Sequence, residues 1–272
     1  MISRRVISTL LILTIAPSLS SRLAAQQHKL QFAKDGSGVF GYKDTPVQPW
    51  SNWHVHDPDR PAPKKIDPGC PGTPDQGCAA PSDAIVLFDG KDLSQWHDCD
   101  WKVENGIAVA IGRPLATKQQ FGSCQLHVEW QTPDPPVGRE MDRGNNGVTL
   151  MGQFEVQIFD SYNTPIYPDG QAAAIYGQTP PAVNACRAPG QWQSFDIVFF
   201  APRFAEGKLI RPARITVFHN GVLVHHNQEI YGETLHARLP EYKVGQEQGP
   251  LVLAAHNNPV RFRNIWLRPI EE

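Results

Sequence analysis

The stretch Asn145–Asp160, NNGVTLMGQFEVQIFD, decides how this chain can fold. Three apolar residues take alternate positions in its second half: Phe154, Val156 and Ile158. Glu155 and Gln157 lie between them, and successive strand side chains point to opposite faces of a sheet. The pattern therefore predicts a half-buried strand with a carboxylate and an amide side by side on its open face. Asp160 lies where this strand should end, and residues 145–147 predict a turn before it.

The rest of the chain, from Asp83 onward, consists of short apolar runs separated by turn residues. Asn105-Gly106 and Asn220-Gly221 each separate two such runs, which is a strong hairpin signal. We find no convincing amphipathic helix of three turns, and the missing strand–helix–strand spacing argues against a parallel sheet. Many short strands at regular turn spacing predict an all-β protein, either a two-sheet antiparallel sandwich or a barrel.

The composition divides the chain into three predicted parts: residues 1–25, 26–81 and 82–272. The first part has Arg4 and Arg5 before an apolar run at 6–16, with small residues after it, which is typical of a secretory signal peptide. The run is too short to span a bilayer, and no other stretch is long and apolar enough to do so. We therefore expect an exported protein, periplasmic or secreted, without a membrane span once the signal is removed.

Residues 26–81 are rich in Pro and Gly and predict an irregular N-terminal arm. Four aromatic residues could attach it to the main body: Phe40, Tyr42, Trp50 and Trp53. His54 and His56 form an H-x-H pair that could bind a metal. Two histidines alone do not fix a metal, and hydrogen bonds to the body are the favoured interpretation.

Charge and cysteine content limit the partners. Without residues 1–25 the chain has 22 basic and 27 acidic residues, a net charge of −5, and it has no basic patch that would indicate a nucleic-acid partner. An exported chain can form disulfides, and Cys70–Cys78 is the first predicted pair, with Cys99–Cys124 second. No CxxC spacing occurs, so we do not expect a thiolate metal site.

Polar and aromatic side chains in two regions, and between them, are candidates for a carbohydrate site. They are Glu155, Gln157 and Asp160 on the first strand, His256 and Arg263 near the C-terminus, and Tyr176 and Trp192 between them. Aromatic rings with polar neighbours suit sugar rings, although a Trp in a β core more often serves packing. An Arg in a strand can equally pair with a carboxylate of the sheet.

Several stretches carry a resemblance to a known family. They are FDGKDLSQW (88–96), WKVENG (101–106), NNGVTLMGQFEVQIFD (145–160), APGQWQSFDIVF (188–199) and GPLVLAAHNNPVRFRNIWLRP (249–269). Their order and spacing resemble the bacterial 3-keto-disaccharide hydrolases, also described as 3-keto-glucoside 1,2-lyase/3-keto-2-hydroxyglucal hydratase domains. The chain departs from the expected pattern at Asn146, where the family has Ser, and at Asn257, where it has Gly. The resemblance implies a concanavalin A-like jelly roll of two antiparallel sheets.

The resemblance also implies a reaction on sugars that are already oxidised at C3. A ketone at C3 acidifies the C2 proton, so that a base can remove it while the group at C1 leaves by β-elimination. Water then adds to the product, and the net result is glycoside hydrolysis. This reaction needs a base near C2, an acid or Lewis acid for the leaving oxygen, and a stabiliser of the enolate.

Roles for individual residues follow from the same resemblance. Glu155 or His256 would transfer protons, and Arg263 would stabilise the enolate or position Glu155. Sugar hydroxyls would be held by Asn146, Gln157 and Asp160, with Tyr176 and Trp192 as flat apolar surfaces. No cofactor is firmly implied, although a divalent metal ion held by Glu, Asp or His could replace Arg263 as Lewis acid.

The alternative is a non-catalytic, lectin-like module that binds carbohydrate without cleaving it, since a fold does not fix a function. The two hypotheses differ in what they require of Glu155. A binding module needs no carboxylate with a shifted pKa, so a strongly perturbed Glu155 in a cleft favours the enzyme.

Overall fold

The computed structural model describes residues 28–65 and 80–271. Within these ranges the regular structure is β-strand apart from two short 3-10 turns, Glu140–Asp142 and Pro168–Gly170, so the all-β prediction is confirmed. No helix in the described part of the chain is long and apolar enough to cross a membrane. The predicted signal peptide and the Cys70–Cys78 pair lie outside the described residues.

The arm contains more regular structure than its composition predicts. Its strands are β1 (Leu30–Phe32), β2 (Phe40–Tyr42) and β3 (Lys64–Lys65). β1 and β2 form a small antiparallel pair, which gives the Pro- and Gly-rich segment a local hydrogen-bonded frame.

Fifteen further strands make up the main body of the described chain. They are β4 (Ile85–Phe88), β5 (Lys102–Glu104), β6 (Ile107–Val109), β7 (Leu115–Phe121), β8 (Cys124–Gln131), β9 (Asn146–Leu150), β10 (Phe154–Ile158), β11 (Val183–Asn184), β12 (Gln193–Phe200), β13 (Arg203–Ala205), β14 (Lys208–Arg211), β15 (Arg214–His219), β16 (Val222–Glu229), β17 (Gly249–Leu253) and β18 (Arg261–Pro269).

Two antiparallel sheets form the sandwich. The large sheet has the order β16-β15-β12-β8-β18-β6-β5, and β4 also pairs with β18. The small sheet has the order β10-β9-β17-β7. Non-consecutive neighbours such as β9 and β17 show that the chain crosses between the sheets, as a jelly roll requires. β3 of the arm pairs in parallel with β11, which connects the arm to the body.

Local sequence accounts for the two predicted hairpins but not for the start of the organising stretch. Asn105-Gly106 and Asn220-Gly221 both adopt positive φ angles between paired strands, as a two-residue hairpin turn requires. The predicted turn at residues 145–147 is wrong, because Asn146 and Gly147 begin β9 and pair with β10. The turn between these strands lies at residues 151–153 instead.

The space between the sheets is filled by one hydrophobic core. Phe154, Val156 and Ile158 of β10 are at most 1 % exposed and face this core, as their alternation predicts. Trp130 of β8 and Phe262 of β18 meet them from the large sheet. Each such side chain stabilises the fold by about 1.5–3 kcal/mol on burial, so the face of β10 that carries these residues cannot turn towards solvent.

A second cluster lies on the outer face of the small sheet. Phe159, which follows β10 with the same parity as Glu155, packs against Ile166 and Tyr167 of the following loop and against Phe40 of the arm. All four side chains are buried. The arm therefore covers the end of β10 that lies beyond Gln157.

Polar contacts also hold the arm to the body. The His56 ring hydrogen-bonds through Nδ1 to Asp169 Oδ1 at 3.2 Å, and neither residue is exposed to solvent. Its Nε2 accepts a hydrogen bond from the Ala237 backbone N–H at 3.2 Å. Trp50 stacks on Tyr231 with ring centroids 4.1 Å apart. His56 is thus a buried link between the arm and two loops of the body.

The cysteines in the described ranges are free. The predicted Cys99–Cys124 pair is wrong, because Cys124 faces the core from β8 while Cys99 lies half-buried in the loop before β5. Burial raises the pKa of the Cys124 and Cys186 thiols to about 12, which leaves both unreactive.

Replacing His56 with Ala should destabilise the protein by about 3 kcal/mol, because the buried Asp169 carboxylate loses its ring partner. Urea unfolding monitored by fluorescence measures the change. The matched control is His54→Ala, since the half-buried His54 ring bonds only to a backbone carbonyl of the arm. Equal, small effects of both substitutions would contradict a structural role for the His56–Asp169 contact.

Candidate active site

The outer edge of β10 is paired with the segment 173–176, which follows the second cluster in the chain. Gln157 N donates to Ala174 O at 2.9 Å, and Tyr176 N donates to Glu155 O at 3.1 Å. An isolated bridge between Val156 and Ile175 fixes the register. Directly opposed residues of an antiparallel pair project to the same face, so Tyr176 lies beside Glu155 on the outer face.

The pairing of β10 with β9 and of β9 with β17 extends this register across the small sheet. Two rows of side chains cross its outer face as a result. The first row is Tyr176, Glu155, Thr149 and Val252, and the second is Ala174, Gln157, Gly147 and Ala254. The second row consists of small residues apart from Gln157.

The Glu155 side chain lies flat over Gly147. A Cβ atom added at position 147 would be only 1.9 Å from Glu155 Oε1 and 2.7 Å from its carboxyl carbon. The φ angle of Gly147 is not in the left-handed region, so close approach, not backbone conformation, requires glycine here. The NNG run that was predicted as a turn instead contains Gly147, the residue over which the Glu155 carboxylate lies.

The Glu155 carboxylate has an unusual electrostatic environment. The side chain is half-buried, and none of the described residues forms a hydrogen bond or an ion pair with its oxygens. Burial, which disfavours the charged form, raises the pKa of Glu155 to about 7. Near neutral pH this group therefore exchanges readily between its protonated and ionised forms, as a general acid–base group must.

Five aromatic rings form a wall beside Glu155, which we call the aromatic wall: Tyr42, His56, Tyr167, Tyr176 and His236. The Tyr176 hydroxyl hydrogen-bonds to His236 Nδ1 at 2.9 Å and to the Tyr167 hydroxyl at 3.2 Å. The His236 ring stacks on His56 at 5.1 Å. Burial among these rings lowers the pKa of His236 to about 4, so this imidazole is neutral at physiological pH.

Gln157 is not on an open face. It is 1 % exposed, and its Nε2 donates to Asn145 Oδ1 at 2.9 Å and to the Ile158 carbonyl at 3.0 Å. The prediction of a solvent-facing amide beside Glu155 is therefore wrong, because the arm and the 161–170 loop cover that half of the strand. The amide helps to hold β9 and β10 in register.

Asn146 and Asp160 are also buried. The Asn146 Oδ1 accepts a hydrogen bond from Gly147 N at 2.9 Å. Asp160 binds the Arg143 guanidinium through Oδ2, at 2.5 Å from Nη2 and 3.0 Å from Nε. These contacts fix the loop before β9 and the end of β10, and so support the frame around Gly147.

His256 lies in the turn that follows β17. Ala254 N donates to Gly147 O at 2.9 Å, which places this turn near the residue 145 end of β9. The His256 side chain is exposed, and partial desolvation lowers the pKa of its imidazole. Asn257 has a φ angle of +57°, a conformation that Asn adopts more easily than other non-Gly residues. The turn thus has the left-handed geometry that would explain the Gly expected here from the resemblance.

Arg263 and Trp192 lie elsewhere, on the outer face of the large sheet. Arg263 Nε donates to Glu129 Oε2 at 2.6 Å, and its guanidinium lies 4.1 Å from the centre of the Trp192 ring. The neighbouring Phe262 is buried in the core, so the thickness of the sandwich separates Arg263 from Glu155. The structure does not bring these two predicted partners together.

Glu129 belongs to a compact charged network on that face. Burial alone would raise its pKa, but hydrogen bonds from His127, Asn264 and Arg263 outweigh burial and lower the pKa to about 2. In the same way, Asp196 and Glu129 overcome the burial of His127 and raise its pKa to about 9. The Glu129 carboxylate thus has hydrogen-bond and charge partners within this network, whereas the Glu155 carboxylate has none among the described residues.

Sequence reasoning missed the aromatic wall beyond Tyr176. His236 and Tyr167 lie in irregular segments without a local pattern, and Tyr42 and His56 come from the arm. In the residues that the structure describes, no group of three or more His, Cys, Asp or Glu side chains is arranged to hold a metal ion.

Comparisons with known proteins agree with the fold. Residues 83–268 match the family described as the 3-keto-alpha-glucoside-1,2-lyase-like domain. A crystal structure of a predicted glycosyl hydrolase from Parabacteroides distasonis ATCC 8503 is 42% identical with a TM-score of 0.68, over 70% of this chain and 85% of that one. A comparison with curated proteins found no significant match.

Two further crystal structures of predicted glycosyl hydrolases from the same organism share the fold. One is 19% identical with a TM-score of 0.53, over 70% of this chain and 94% of that one. The other is 21% identical with a TM-score of 0.50, over 69% of this chain and 99% of that one.

The sandwich and the matches define a carbohydrate-active enzyme with a sugar substrate. More specifically, the chain belongs to the 3-keto-alpha-glucoside-1,2-lyase-like domain family.

The raised pKa of Glu155 predicts a stability effect with a definite sign. Between the unfolded pKa of 4.5 and the folded pKa of about 7, the native state binds more protons than the unfolded state, so stability falls as pH rises. Glu155→Gln removes this loss and should increase the unfolding free energy by about 1–3 kcal/mol at about pH 8. At about pH 4 the two proteins should be equally stable.

Urea unfolding at both pH values measures the gap between Glu155→Gln and the unsubstituted protein. The exposed Glu104 of β5 offers a matched control, and Glu104→Gln should show no gap that widens with pH. A Glu155→Gln protein that is less stable at the higher pH would disprove the desolvated state of the carboxylate.

Proposed function

We propose that the protein cleaves the glycosidic bonds of 3-keto-glycosides by removal of the C2 proton, β-elimination and hydration, with net hydrolysis. We further propose that it does so after export, in the periplasm or outside the cell, as the charge and order of residues 1–25 indicate. Family membership supports the choice of substrate class. The observation that carries the proposed chemistry is the unpaired carboxylate of Glu155.

Glu155 has the properties of the base that the first step needs. Its pKa of about 7 lies near neutral pH, where a base is both substantially ionised and a strong enough proton acceptor. It lies over Gly147, whose missing side chain leaves the place that the carboxylate occupies on the outer face of the small sheet. Because hydrogen bonds do not hold the carboxylate in its charged form, proton uptake from C2 breaks no existing contact.

The reaction can be followed through this carboxylate. Glu155 takes the C2 proton, a C1–C2 double bond forms, and the bond between C1 and the glycosidic oxygen breaks. Water then adds at C1, and Glu155 returns its proton to C2, so that the carboxylate is regenerated. His256, at the rim of the same face, is the second proton-transfer candidate, whereas Arg263 lies too far away for a direct role.

The state of Glu155 also favours an enzyme over a lectin-like module. A binding site gains nothing from a carboxylate whose desolvation costs stability, and sugar hydroxyls are held as well by amides or by hydrogen-bonded acids. Strongly shifted pKa values in a site lined by aromatic rings are typical of catalytic groups. The same rings can stack against a sugar in either case.

A direct test incubates the purified mature chain with 3-keto-trehalose and 3-keto-lactose, with and without EDTA, and follows free glucose and the 2-hydroxyglucal. We expect release of glucose, with kcat/KM rising with pH through about pH 7 as Glu155 loses its proton. Activity lost on addition of EDTA and restored by a divalent ion would assign the Lewis-acid role to a metal. Binding of an unmodified glycan without any cleavage would refute the proposed function.

Glu155→Gln should lower kcat by about 10²–10⁴-fold, because the amide cannot accept the C2 proton. The expected gain in stability at high pH shows that the variant is folded, so the loss of rate is not a folding defect. Glu104→Gln again serves as the control and should keep full activity. A Glu155→Gln protein with normal turnover would remove Glu155 from the mechanism.

Gly147→Ala should lower kcat/KM by about 100-fold, because the added methyl group pushes the Glu155 carboxylate out of its place. The control is Gly221→Ala, where a φ angle of +79° strains the new residue but no atom lies within 4 Å. That substitution should cost about 1 kcal/mol of stability and leave kcat unchanged. Equal activities of the two variants would show that the position of Glu155 over Gly147 is not required.

A further inference from the structure

The proposed reaction needs a second proton-transfer group, and Tyr176 is placed to be that group. Glu155 can take the C2 proton, but an alkoxide leaving from C1 also needs a proton if the leaving group is another sugar. Tyr176 projects from the paired segment to the same face as Glu155, directly opposite it in the register. The two side chains therefore lie side by side on the face where we propose that the sugar binds.

The hydroxyl of Tyr176 is held from two sides. Its oxygen hydrogen-bonds to His236 Nδ1 at 2.9 Å and to the Tyr167 hydroxyl at 3.2 Å. A phenol oxygen has one proton and two lone pairs, so these contacts leave one position open. When Tyr167 and the Nδ1–H tautomer of His236 both donate, the open position is the proton of Tyr176 itself.

We infer that Tyr176 is the acid–base residue of the leaving-group side, and that His236 and Tyr167 are its positioning residues. This inference rests on the proposed function. In the elimination step the Tyr176 O–H proton passes to the glycosidic oxygen as its bond to C1 breaks. In the hydration step the phenolate takes a proton from the water that attacks C1, which restores the hydroxyl.

The contacts of Tyr176 fix the position of its hydroxyl. Burial raises the pKa of Tyr176, and the hydrogen bond from Tyr167 opposes that shift by stabilising the phenolate. His236 is neutral and stacks on the buried His56, whose own ring is fixed by Asp169 and Ala237. The hydroxyl is therefore oriented by a rigid chain of contacts that begins in the arm.

The experiment compares a 3-keto-disaccharide with a 4-nitrophenyl 3-keto-glucoside, whose leaving group needs no proton. Tyr176→Phe should lower kcat on the disaccharide by about 10²–10⁴-fold and change kcat on the nitrophenyl substrate only a few-fold. Glu155→Gln should lower kcat to a similar extent on both substrates. Tyr231→Phe, which removes another half-buried hydroxyl of the body, is the matched control and should be neutral on both.

The proposal that His236 positions the Tyr176 hydroxyl is tested separately, by kcat and KM of two His236 variants. His236→Leu should lower kcat on the disaccharide with little change in KM, and His236→Gln, which can still hydrogen-bond to Tyr176, should recover part of that loss. Equal losses of the Tyr176→Phe protein on both substrates, or no loss on either, would overturn the assignment. Failure of the unsubstituted protein to cleave either substrate would instead refute the proposed function.

Discussion

A strand residue can face only one side of its sheet, and this constraint on β10 determines the rest of the site. The core accepts Phe154, Val156 and Ile158 and no charged group, so Glu155 must project to the outer face. Pairing with β9 then sets Gly147 under its carboxylate, and pairing with residues 173–176 sets Tyr176 beside it. A slip of one residue in register would bury Glu155 in the core and expose three large apolar side chains.

The two outer faces of the sandwich differ in whether a buried carboxylate has charged partners. On the large sheet, Glu129 is matched by Arg263 and His127, so its charge is fixed and it stabilises the native state at neutral pH. On the small sheet, Glu155 is desolvated without a charged partner among the described residues, which costs stability when it ionises. A group that must take up and release a proton needs the second environment, since a fixed charge does not titrate near neutrality.

The strands and the position of Glu155 follow from the sequence because alternation and Asn-Gly turns act over a few residues. The partners of Arg263 do not follow from the sequence. Glu129 lies 134 positions away and contacts Arg263 only because β8 pairs with β18. Alternation alone also predicts an open Gln157, because its cover comes from the arm and the 161–170 loop, which no local pattern places over β10. Contacts between segments that are distant in the sequence, and not local strand or turn propensity, therefore decide which side chains come together in a site.

The domain that defines the family begins at residue 83, yet Tyr42 and His56 of the aromatic wall precede it. The sandwich thus supplies the carboxylate, while the N-terminal arm, which precedes the family match, supplies part of the surface around it. Such an arrangement is modular, because the extension can change in sequence while the strands that hold Glu155 over Gly147 stay the same.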